Sequence, residues 1–443
     1  MAMRSRSGAG TPDHDPRRIA ISESIRNGLW FIPGLMVLGS WALAIGLTAY
    51  DQADHWFPFR FHGDASSAQD MLSTIASATL AMTTLVVSIT MVALQLASQQ
   101  FSPRVMRTFF RDRGTKVALG IFLGTTVYAL LVLRKVVPED GATAEFVPEI
   151  SVTVGFGLML CSLFAFLYYL HHVAHSIRAV HIMEAVAAET RAAIRTMPTD
   201  EEALAPGEWP DRAPDQLVAS EQPPGSVVSV DEDDLVALAV RHRAQIRLVP
   251  HVGDYLPSRS PLAEVWYDDP ARASTLAADD LVPLIGLGRE RTMRQDVAFG
   301  FRQLVDMASK ALSPGINDPT TAVQVVDRIH DLLRRIAAGP PPRGVHRDEE
   351  GTARLVAPLP TWDDFVHLAC DEIRVFGAGS LQVHQRLRGM LADLELACAD
   401  RPDRLRVLQV ERDLLDRAAQ RAFDDPEDRR AAGLSSTGTR VDR

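Results

Sequence analysis

Four long stretches of this chain contain no charged side chain. They cover residues 29–50, 71–98, 117–133 and 150–170. About 20 apolar residues in a helix cross the hydrocarbon core of a bilayer. Inside that core each backbone polar group must be hydrogen-bonded within the protein, which a helix achieves by itself. The sequence therefore predicts four transmembrane helices, forming a domain over residues 29–175 that follows a cytoplasmic segment, 1–28.

The basic residues beside these stretches predict their orientation. Arginine and lysine concentrate between the second and third stretches and again after the fourth. Cytoplasmic loops of membrane proteins are enriched in these residues, so both termini are expected in the cytoplasm. Arg134 and Lys135 fall on the outer side and are exceptions, although acidic residues share their loop.

The second stretch combines apolar character with a regular series of polar side chains. At about 100° per residue, six of them lie within an arc of roughly 80° on one side of a helix. They are Ser73, Ser77, Thr84, Ser88, Gln95 and Gln99. A second ridge, made of Thr79, Thr83 and Thr90, lies nearly opposite. The arc between the ridges is expected to face lipid and contains Met82, Leu85, Ile89, Val92 and Leu96.

Two interpretations of the six polar residues stay open. Hydroxyl side chains in membrane helices often bond their own backbone or pack against neighbouring helices. Alternatively, symmetry copies of the helix surround a hydrated path that these side chains line. The presence of two ridges favours the second interpretation, since one ridge can serve packing and the other the path.

Basic and histidine residues follow the second and fourth stretches. Arg104, Arg107 and Arg111 recur at helical spacing and predict a cytoplasmic collar. In an oligomer such a collar would attract anions or acidic lipids, whereas the simpler alternative is ordinary anchoring at the membrane. His171 and His175 share one helix face and are weak candidates for a metal site, with an interfacial role as the alternative.

The charged second half predicts a cytoplasmic α+β domain. Residues 176–222 are expected to be a juxtamembrane helix followed by a linker rich in proline and acid. A small β-rich module, 223–288, resembles a barrel-sandwich domain around its Gly253–Asp254 turn. Such domains carry a cofactor on a lysine, but residues 225–303 contain no lysine. The module is therefore not expected to carry a cofactor.

A helical domain, 289–423, is predicted to follow this module. Its helices are expected at residues 289–312, 319–338, 362–376, 380–397 and 403–423, with a disordered tail over 424–443. The whole chain is thus predicted to be mostly α.

One polar cluster is predicted at a turn of the helical domain. Asp318 precedes Pro319, and this pair is typical of a helix start because the carboxylate caps free amides. Asn317 lies beside it, and we expect Arg291, Gln295 and Asp296 to be its partners on the preceding helix. The cluster is interpreted either as a helix cap alone or as a site for an ion or polar ligand.

Several functional classes are disfavoured by composition and motif. A net charge of −10 argues against nucleic-acid binding, which usually needs a basic domain. The three cysteines show no metal-ligand spacing. No phosphate-binding loop, H-E-x-x-H motif or nucleophile elbow is present. We therefore expect neither an enzyme nor a resident cofactor.

Three long motifs resemble a known bacterial family. They are "LSTIASATLAMTTLVVSITMVALQLASQQFSPRV", "HHVAHSI" and "RQDVAFGFRQLVDMASKALSPGINDPTTA". The family is the predicted membrane proteins of domain of unknown function 2254, and the resemblance covers residues 29–423. It implies four spans in a bacterial inner membrane with a cytoplasmic domain, and it implies no activity.

The sequence leaves two functional hypotheses. The first is a homo-oligomeric channel or passive pore lined by the polar side of the second span and gated or assembled by the cytoplasmic domain. The second is a membrane-anchored scaffold or sensor whose cytoplasmic helices bind an unknown partner without any permeation.

Overall fold

The computed structural model describes residues 30–51, 61–100, 113–138, 146–176, 179–197, 204, 207–271, 274–293, 295–341 and 344–433. The chain forms two compact units. The first contains the four apolar helices, and the second contains Ala179–Arg443.

Four helices form the first unit. They are α1 (Phe31–Asp51), α2 (Ala65–Gln100), α3 (Arg113–Leu133) and α4 (Glu149–Ser176). Each is long and apolar enough to cross a membrane, so the four predicted segments are helices and are candidate spans. Helix α2 has 36 residues, so it is about 54 Å long and exceeds the roughly 30 Å of a hydrocarbon core.

Helix α2 begins six residues before the predicted span because Asp64 caps it. The Asp64 carboxylate accepts hydrogen bonds from the Ser66 hydroxyl at 2.7 Å and the Ser67 amide at 3.2 Å. Hydrogen bonds from Ser67 and Ser66 lower the pKa of Asp64 from 3.8 to about 2. The cap is therefore ionised at neutral pH, where a negative charge suits a helix N-terminus.

The core of the first unit lies where α2, α3 and α4 meet. Leu72 and Ile75 of α2 pack with Tyr128 of α3 and Val152 of α4. A second cluster joins Val86 of α2 to α3 and α4 through two aromatic residues, Phe122 and Tyr169. One side of α2 therefore packs against other helices of the same chain.

Close approach of α1 and α3 depends on two glycines. A Cβ at Gly120 would lie 2.4 Å from the Met36 sulfur, and one at Gly124 would lie 2.5 Å from the Ser40 hydroxyl. Small residues four positions apart allow membrane helices to approach this closely. The glycines of α1 have no such role, since a Cβ at Gly34, Gly39 or Gly46 would meet no described atom within 4 Å.

Asp51, at the end of α1, caps α4. Its carboxylate accepts hydrogen bonds from the amides of Ile150 and Ser151, each at 3.0 Å. The Tyr128 hydroxyl donates to the Ser151 carbonyl at 2.9 Å. These contacts connect three helices at one end of the unit, so Asp51 has a structural role.

The second unit contains eight strands among its described residues. They are β1 (Gln216–Ala219), β2 (Gly225–Val230), β3 (Ala244–Leu248), β4 (Tyr255–Leu256), β5 (Pro261–Tyr267), β6 (Ile285–Gly288), β7 (Val345–Arg347) and β8 (Ala353–Val356). One sheet has the order β1-β5-β3-β8-β7, and the other has the order β4-β2-β6. Strands β3 and β8 are parallel, with Ile246 opposite Leu355.

The sheets extend beyond the stretch in which strands were expected. Strand β1 lies in the predicted linker, while β7 and β8 lie in the predicted helical stretch. These short strands are stabilised by pairing with β5 and β3, which are distant in sequence. The likeness to a barrel-sandwich is not confirmed by this arrangement.

The helices of the second unit are α5 (Ala179–Thr196), α6 (Glu232–His242), α7 (Ala278–Leu281), α8 (Val297–Ala311), α9 (Pro319–Ala338), α10 (Trp362–Phe376), α11 (Leu381–Ala397), α12 (Pro402–Ala422) and α13 (Pro426–Ala431), and a 3₁₀ turn covers Val282–Leu284. Helices α5 and α8–α12 pack together around the buried rings of Phe301 and Phe365, which lie 5.2 Å apart. Four of the five predicted helices are confirmed to within one residue.

Two predictions in this region were wrong. Helix α8 starts at Val297, eight residues later than expected, because Asp296 caps it and residues 285–288 form a strand. The predicted disordered tail includes α13, which is capped by Asp425 and held by a hydrogen bond from Arg429 to the Phe423 carbonyl. Residues 434–443 of that tail lie outside the described part of the chain.

Candidate functional site

The predicted polar side of α2 lies on the outside of the first unit. Ser73, Ser77, Thr84, Ser88 and Gln95 are all exposed, and we call these five residues the polar stripe. The side chain of the sixth predicted member, Gln99, lies outside the described residues. Among the described helices of the chain, none covers a member of the polar stripe.

The opposite ridge faces inward, as predicted. Thr79 is fully buried, and its hydroxyl lies 2.8 Å from the Thr126 hydroxyl of α3. Thr83 is buried as well, and the Thr90 hydroxyl lies 2.7 Å from the Tyr169 hydroxyl of α4. These threonines join α2 to its neighbours, so packing within the chain uses this ridge and not the polar stripe.

The hydroxyls of the polar stripe bond their own helix. Ser77 donates to the Ser73 carbonyl at 2.8 Å, Thr84 to the Leu80 carbonyl at 3.1 Å, and Ser88 to the Thr84 carbonyl at 2.8 Å. Such bonds lower the free energy of exposing a hydroxyl to lipid. The hydroxyls alone therefore do not distinguish a lipid-facing surface from a hydrated one.

The Gln95 side chain does distinguish a lipid-facing surface from a hydrated one. Its amide has two donor hydrogens and an acceptor oxygen, it is exposed, and it forms no hydrogen bond within the described part of the chain. An unsatisfied amide in hydrocarbon costs several kcal/mol, roughly 4–8 on a scale without hydrogen bonding. Where it lies within the membrane, this side chain therefore requires water or a polar partner from another molecule.

Apolar residues flank the polar stripe on both sides. Leu80 and Val87 are exposed on one flank, and Leu85, Val92 and Leu96 are exposed on the other. The last three were expected to face lipid. Met82 and Ile89 of the same predicted arc are instead half-buried against the cluster of Val86, Phe122 and Tyr169, because α2 turns more of its surface toward α3 and α4 than the sequence indicated.

Asp70 extends the polar stripe at one end of α2. It is exposed, and its position at about 100° per residue is within the arc of Ser73 and Ser88. The sequence predicts an acidic outer loop that contains Asp51, Asp54, Asp64 and Asp70, and Asp54 lies outside the described residues. Asp51 and Asp64 cap helices, so Asp70 alone of the three described residues stays available on the exposed side.

Two predicted sets are only partly described. Arg104, Arg107 and Arg111 of the collar lie outside the described residues. His171 is exposed near the end of α4, whereas the His175 side chain is not described. The neighbouring His172 stacks on Tyr168 with ring centroids 5.7 Å apart. The weak prediction of a metal at His171 and His175 therefore stays a prediction.

The predicted polar cluster of the second unit is split in two. Arg291 and Asp296 form a bidentate pair at 2.8 and 2.9 Å at the start of α8. Asp318 lies beyond the end of that helix, where it caps α9 by accepting a 3.0 Å hydrogen bond from the Thr321 amide. A 15-residue helix separates them, which corresponds to about 22 Å. The expected partnership was wrong, while the Asp318 cap is confirmed.

Each half of that cluster has a structural role. Gln295 pairs with the backbone of Val230 in β2, through contacts of 2.8 and 3.0 Å. Asn317 adopts the left-handed conformation with φ of 49° in the turn before α9. The Asp318 amide donates to the Ala311 carbonyl at 2.8 Å. At this turn, local geometry accounts for both predicted residues without a ligand.

A small cavity lies beside Asp296. Its volume is about 100 Å³, and its walls include Thr196, Glu232, Val252 and Pro358. Burial raises the pKa of both Asp296 and Glu232, in spite of the ion pair that Asp296 makes with Arg291. The cavity has room for a few waters. The sequence did not indicate it because its walls come from segments far apart in the chain.

A group of three possible metal ligands in the second unit was also not predicted from the sequence. His367 and Asp371 of α10 face Glu411 of α12, with one ligand atom from each residue within 4.8 Å of the other two. The i, i+4 spacing of His367 and Asp371 was visible in the sequence, but nothing in it indicated that Glu411 would complete the group.

Comparison with known proteins places the chain in a family. An uncharacterized protein of Mycobacterium bovis and one of Mycobacterium tuberculosis are each 33% identical over 433 residues, covering 96% of this chain and 82% of the relative. No solved structure matches it significantly. The predicted membrane protein family DUF2254 matches residues 26–393. With most of its length matched and four helices able to span a membrane, the chain belongs to this family of predicted membrane proteins.

Proposed function

We propose that the protein is a homo-oligomeric channel or passive pore whose path is lined by the polar stripe of α2. The carrying observation is the exposed Gln95 amide, on a side of the helix that no other described part of the chain covers. Water in a central path would satisfy that amide, and lipid would not. The same surface carries the exposed hydroxyls of Ser73, Ser77, Thr84 and Ser88.

The arrangement of α2 supports assembly around an axis. Its polar stripe is bordered by the apolar residues Leu80 and Val87 on one flank and Leu85 and Val92 on the other. In a ring of copies, these flanks would contact neighbouring copies while the centre faces the axis. Since residues 73–100 contain no charged side chain, the path suits passive permeation better than transport coupled to an intramembrane ionisable group.

The proposal includes an orientation. Both termini are placed on the cytoplasmic side of a bacterial inner membrane, on the distribution of arginine and lysine around the spans. Asp70 would then lie toward the outer mouth and attract cations there. Fusions of a periplasm-active reporter and a cytoplasm-active reporter to each terminus test this, and periplasmic activity at either end contradicts it.

Flux from purified protein tests the path. The wild-type chain reconstituted in liposomes is expected to release a trapped salt, and Ser88→Leu or Gln95→Leu is expected to abolish the release. Cys161→Leu is the matched control, because Cys161 is exposed and belongs to α4, not to the polar stripe of α2. Wild-type flux in both stripe variants, with full incorporation, overturns the assignment of the path.

Cross-linking tests the position of the polar stripe. Ser88→Cys is introduced together with Cys161→Ser, which leaves the buried Cys370 and Cys398 as the other thiols. A short bifunctional maleimide is expected to join copies through position 88. Thr79→Cys in the same background is the control, since position 79 is buried within one chain.

A membrane-anchored scaffold is the competing function. Absence of flux across a range of voltage and pH, combined with no cross-link at position 88, would reject the channel and favour the scaffold. Cross-linking without flux would keep the oligomer and reject the open path.

A further inference from the structure

We propose that His367, Asp371 and Glu411 form a binding site for a divalent transition-metal ion such as Zn²⁺ in the second unit. These residues belong to α10 and α12, which pack against each other. The site is independent of the proposed channel, and none of the sequence motifs contains these three residues.

The geometry brings three ligand atoms of suitable type together. His367 and Asp371 are four residues apart, so they share one side of α10. The Nδ1 atom of His367 lies 2.8 Å from Oε1 of Glu411, and one ligand atom from each of the three residues lies within 4.8 Å of the others. Ligand atoms that are each about 2.1 Å from a common ion must lie within roughly 4.2 Å of one another, which small side-chain movements achieve.

The buried carboxylate of Glu411 is the second, independent observation. Its side chain is 0% exposed, and its Oε2 atom accepts no hydrogen bond from the described residues. Buried polar atoms are seldom left without a hydrogen-bond partner. An unpaired carboxylate oxygen does not by itself stabilise the protein core. A bound cation would satisfy it.

Arg374 supplies the positive charge in the absence of an ion. Its Nε atom lies 3.6 Å from Oε2 of Glu411, a distance too long for a hydrogen bond. This Nε atom is also buried and forms no hydrogen bond with the described residues. Its Nη2 atom donates to Asp371 at 2.7 Å. A cation bound between Asp371 and Glu411 would replace this incomplete interaction, so the ion and the guanidinium compete for the same carboxylates.

The ligand set indicates the class of ion. One imidazole nitrogen and two carboxylate oxygens suit Zn²⁺ and related transition metals, whereas Mg²⁺ and Ca²⁺ prefer oxygen alone. The side chains of His367 and Asp371 are 45% and 48% exposed, so the ion can enter from solvent. Three protein ligands leave a coordination position for water.

A second histidine–carboxylate pair provides a matched control. His330 Nε2 lies 2.8 Å from Asp393 Oδ2, with Arg334 and Arg386 as its other polar neighbours. This pair has no third metal ligand among the described residues. His330→Gln therefore removes a similar imidazole without affecting the proposed site.

Metal binding by the untagged full-length protein in detergent tests the proposal. Equilibrium dialysis with Zn²⁺ and Co²⁺ is expected to give one ion per chain, and bound Co²⁺ is expected to show the d–d absorption of a low-coordinate site. His367→Gln and Asp371→Asn change exposed side chains and should fold. Each is expected to weaken binding by more than about tenfold, while His330→Gln leaves it unchanged.

Three outcomes would overturn the inference. One is the absence of stoichiometric binding to the folded wild-type protein. Another is unchanged affinity in His367→Gln, which would assign the ion to the histidines near the end of α4. The last is an equal loss of affinity in His330→Gln. Channel activity does not enter this test, so its failure and that of the pore proposal are separate.

Discussion

Buried hydroxyls of the first unit and buried charges of the second unit are satisfied in different ways. In the first unit, Thr79, Thr126 and Ser162 are buried, and each donates to a carbonyl four residues earlier in its own helix. In the second unit, Arg404 and Glu411 are buried charges, and their partners come from other helices. The hydroxyls can be satisfied before the helices assemble, whereas the charges are satisfied only in the assembled unit.

This difference indicates which substitutions lower the stability of each unit. A helix that bonds its own hydroxyls loses little when a helix–helix contact is removed, because a partner is still present. A buried charge that loses its partner is left unsatisfied in a medium of low polarity. Substitutions of buried charges should therefore destabilise the second unit far more than substitutions of self-bonded hydroxyls destabilise the first.

The largest effect is expected from Arg404→Met. The Arg404 guanidinium donates to the carbonyls of Ile336 and Ala337 at 3.0 and 2.6 Å, and to that of Gly339 at 3.1 Å, at the end of α9. Its loss should reduce the free energy of unfolding by about 3 kcal/mol. Urea unfolding of the chain in detergent measures this change.

Arg406→Met is the matched control for that substitution. Arg406 lies on the same helix and is exposed, so its replacement should change stability by less than about 0.5 kcal/mol. Equal effects at the two positions would contradict the special role of the buried guanidinium.

The next effect is expected from Gly253→Ala. Gly253 has φ of 101°, and a Cβ there would lie 2.3 Å from Asp296 Oδ2 and 2.7 Å from Arg291 Nη2. The substitution combines backbone strain with displacement of the ion pair and should cost about 2 kcal/mol. Gly351→Ala separates the two causes, since Gly351 has φ of 82° but nothing within 4 Å of a Cβ. It should show the smaller loss in the same unfolding experiment.

A smaller effect is expected from Asp318→Ala, which removes a local cap in the second unit. The loss should be about 1 kcal/mol at pH 7. Hydrogen bonds from Thr321 lower the pKa of Asp318 below its ordinary 3.8. The stabilisation is therefore fully present above about pH 4 and is lost as pH falls through the folded-state pKa.

Stability of wild type and Asp318→Ala at pH 7, 4 and 3 measures this pH dependence. The difference between the two proteins should shrink at pH 3. A constant difference across the three values would show that the ionised cap is not the cause.

The smallest effect is expected for the Thr79–Thr126 pair of the first unit. A double-mutant cycle with Thr79→Val and Thr126→Val should give a coupling of about 0.6 kcal/mol, since each hydroxyl keeps a carbonyl partner in its own helix. Unfolding in a detergent–denaturant mixture measures the four proteins. A coupling as large as the Arg404 effect would remove the distinction between the units.

Local features of the fold were predictable from the sequence. The four spans, the Asp318 cap and the split between the polar stripe and the threonine ridge depend on residues within a few turns of one helix. Periodicity and capping chemistry act over that same distance. The exact extent of α2 was missed because the cap at Asp64 lies before the uncharged stretch.

Features that join distant segments were not predictable in this way. The sequence predicted that Asp296, as a polar residue of the preceding helix, would meet Asp318, but α8 holds the two residues at its opposite ends. The cavity beside Asp296 and the meeting of His367 with Glu411 likewise depend on which helices and loops pack together. Spacing along the chain contains no direct information about those contacts.

The sequence by itself determined that four helices of this protein can cross a membrane and that one of them has two polar sides, because hydrophobic length and helical period are local properties. Only the tertiary structure decided which polar side packs inward, how β8 joins β3, and where Glu411 finds its imidazole neighbour. Those outcomes depend on burial and pairing between residues far apart in the chain, which are set when the whole unit packs.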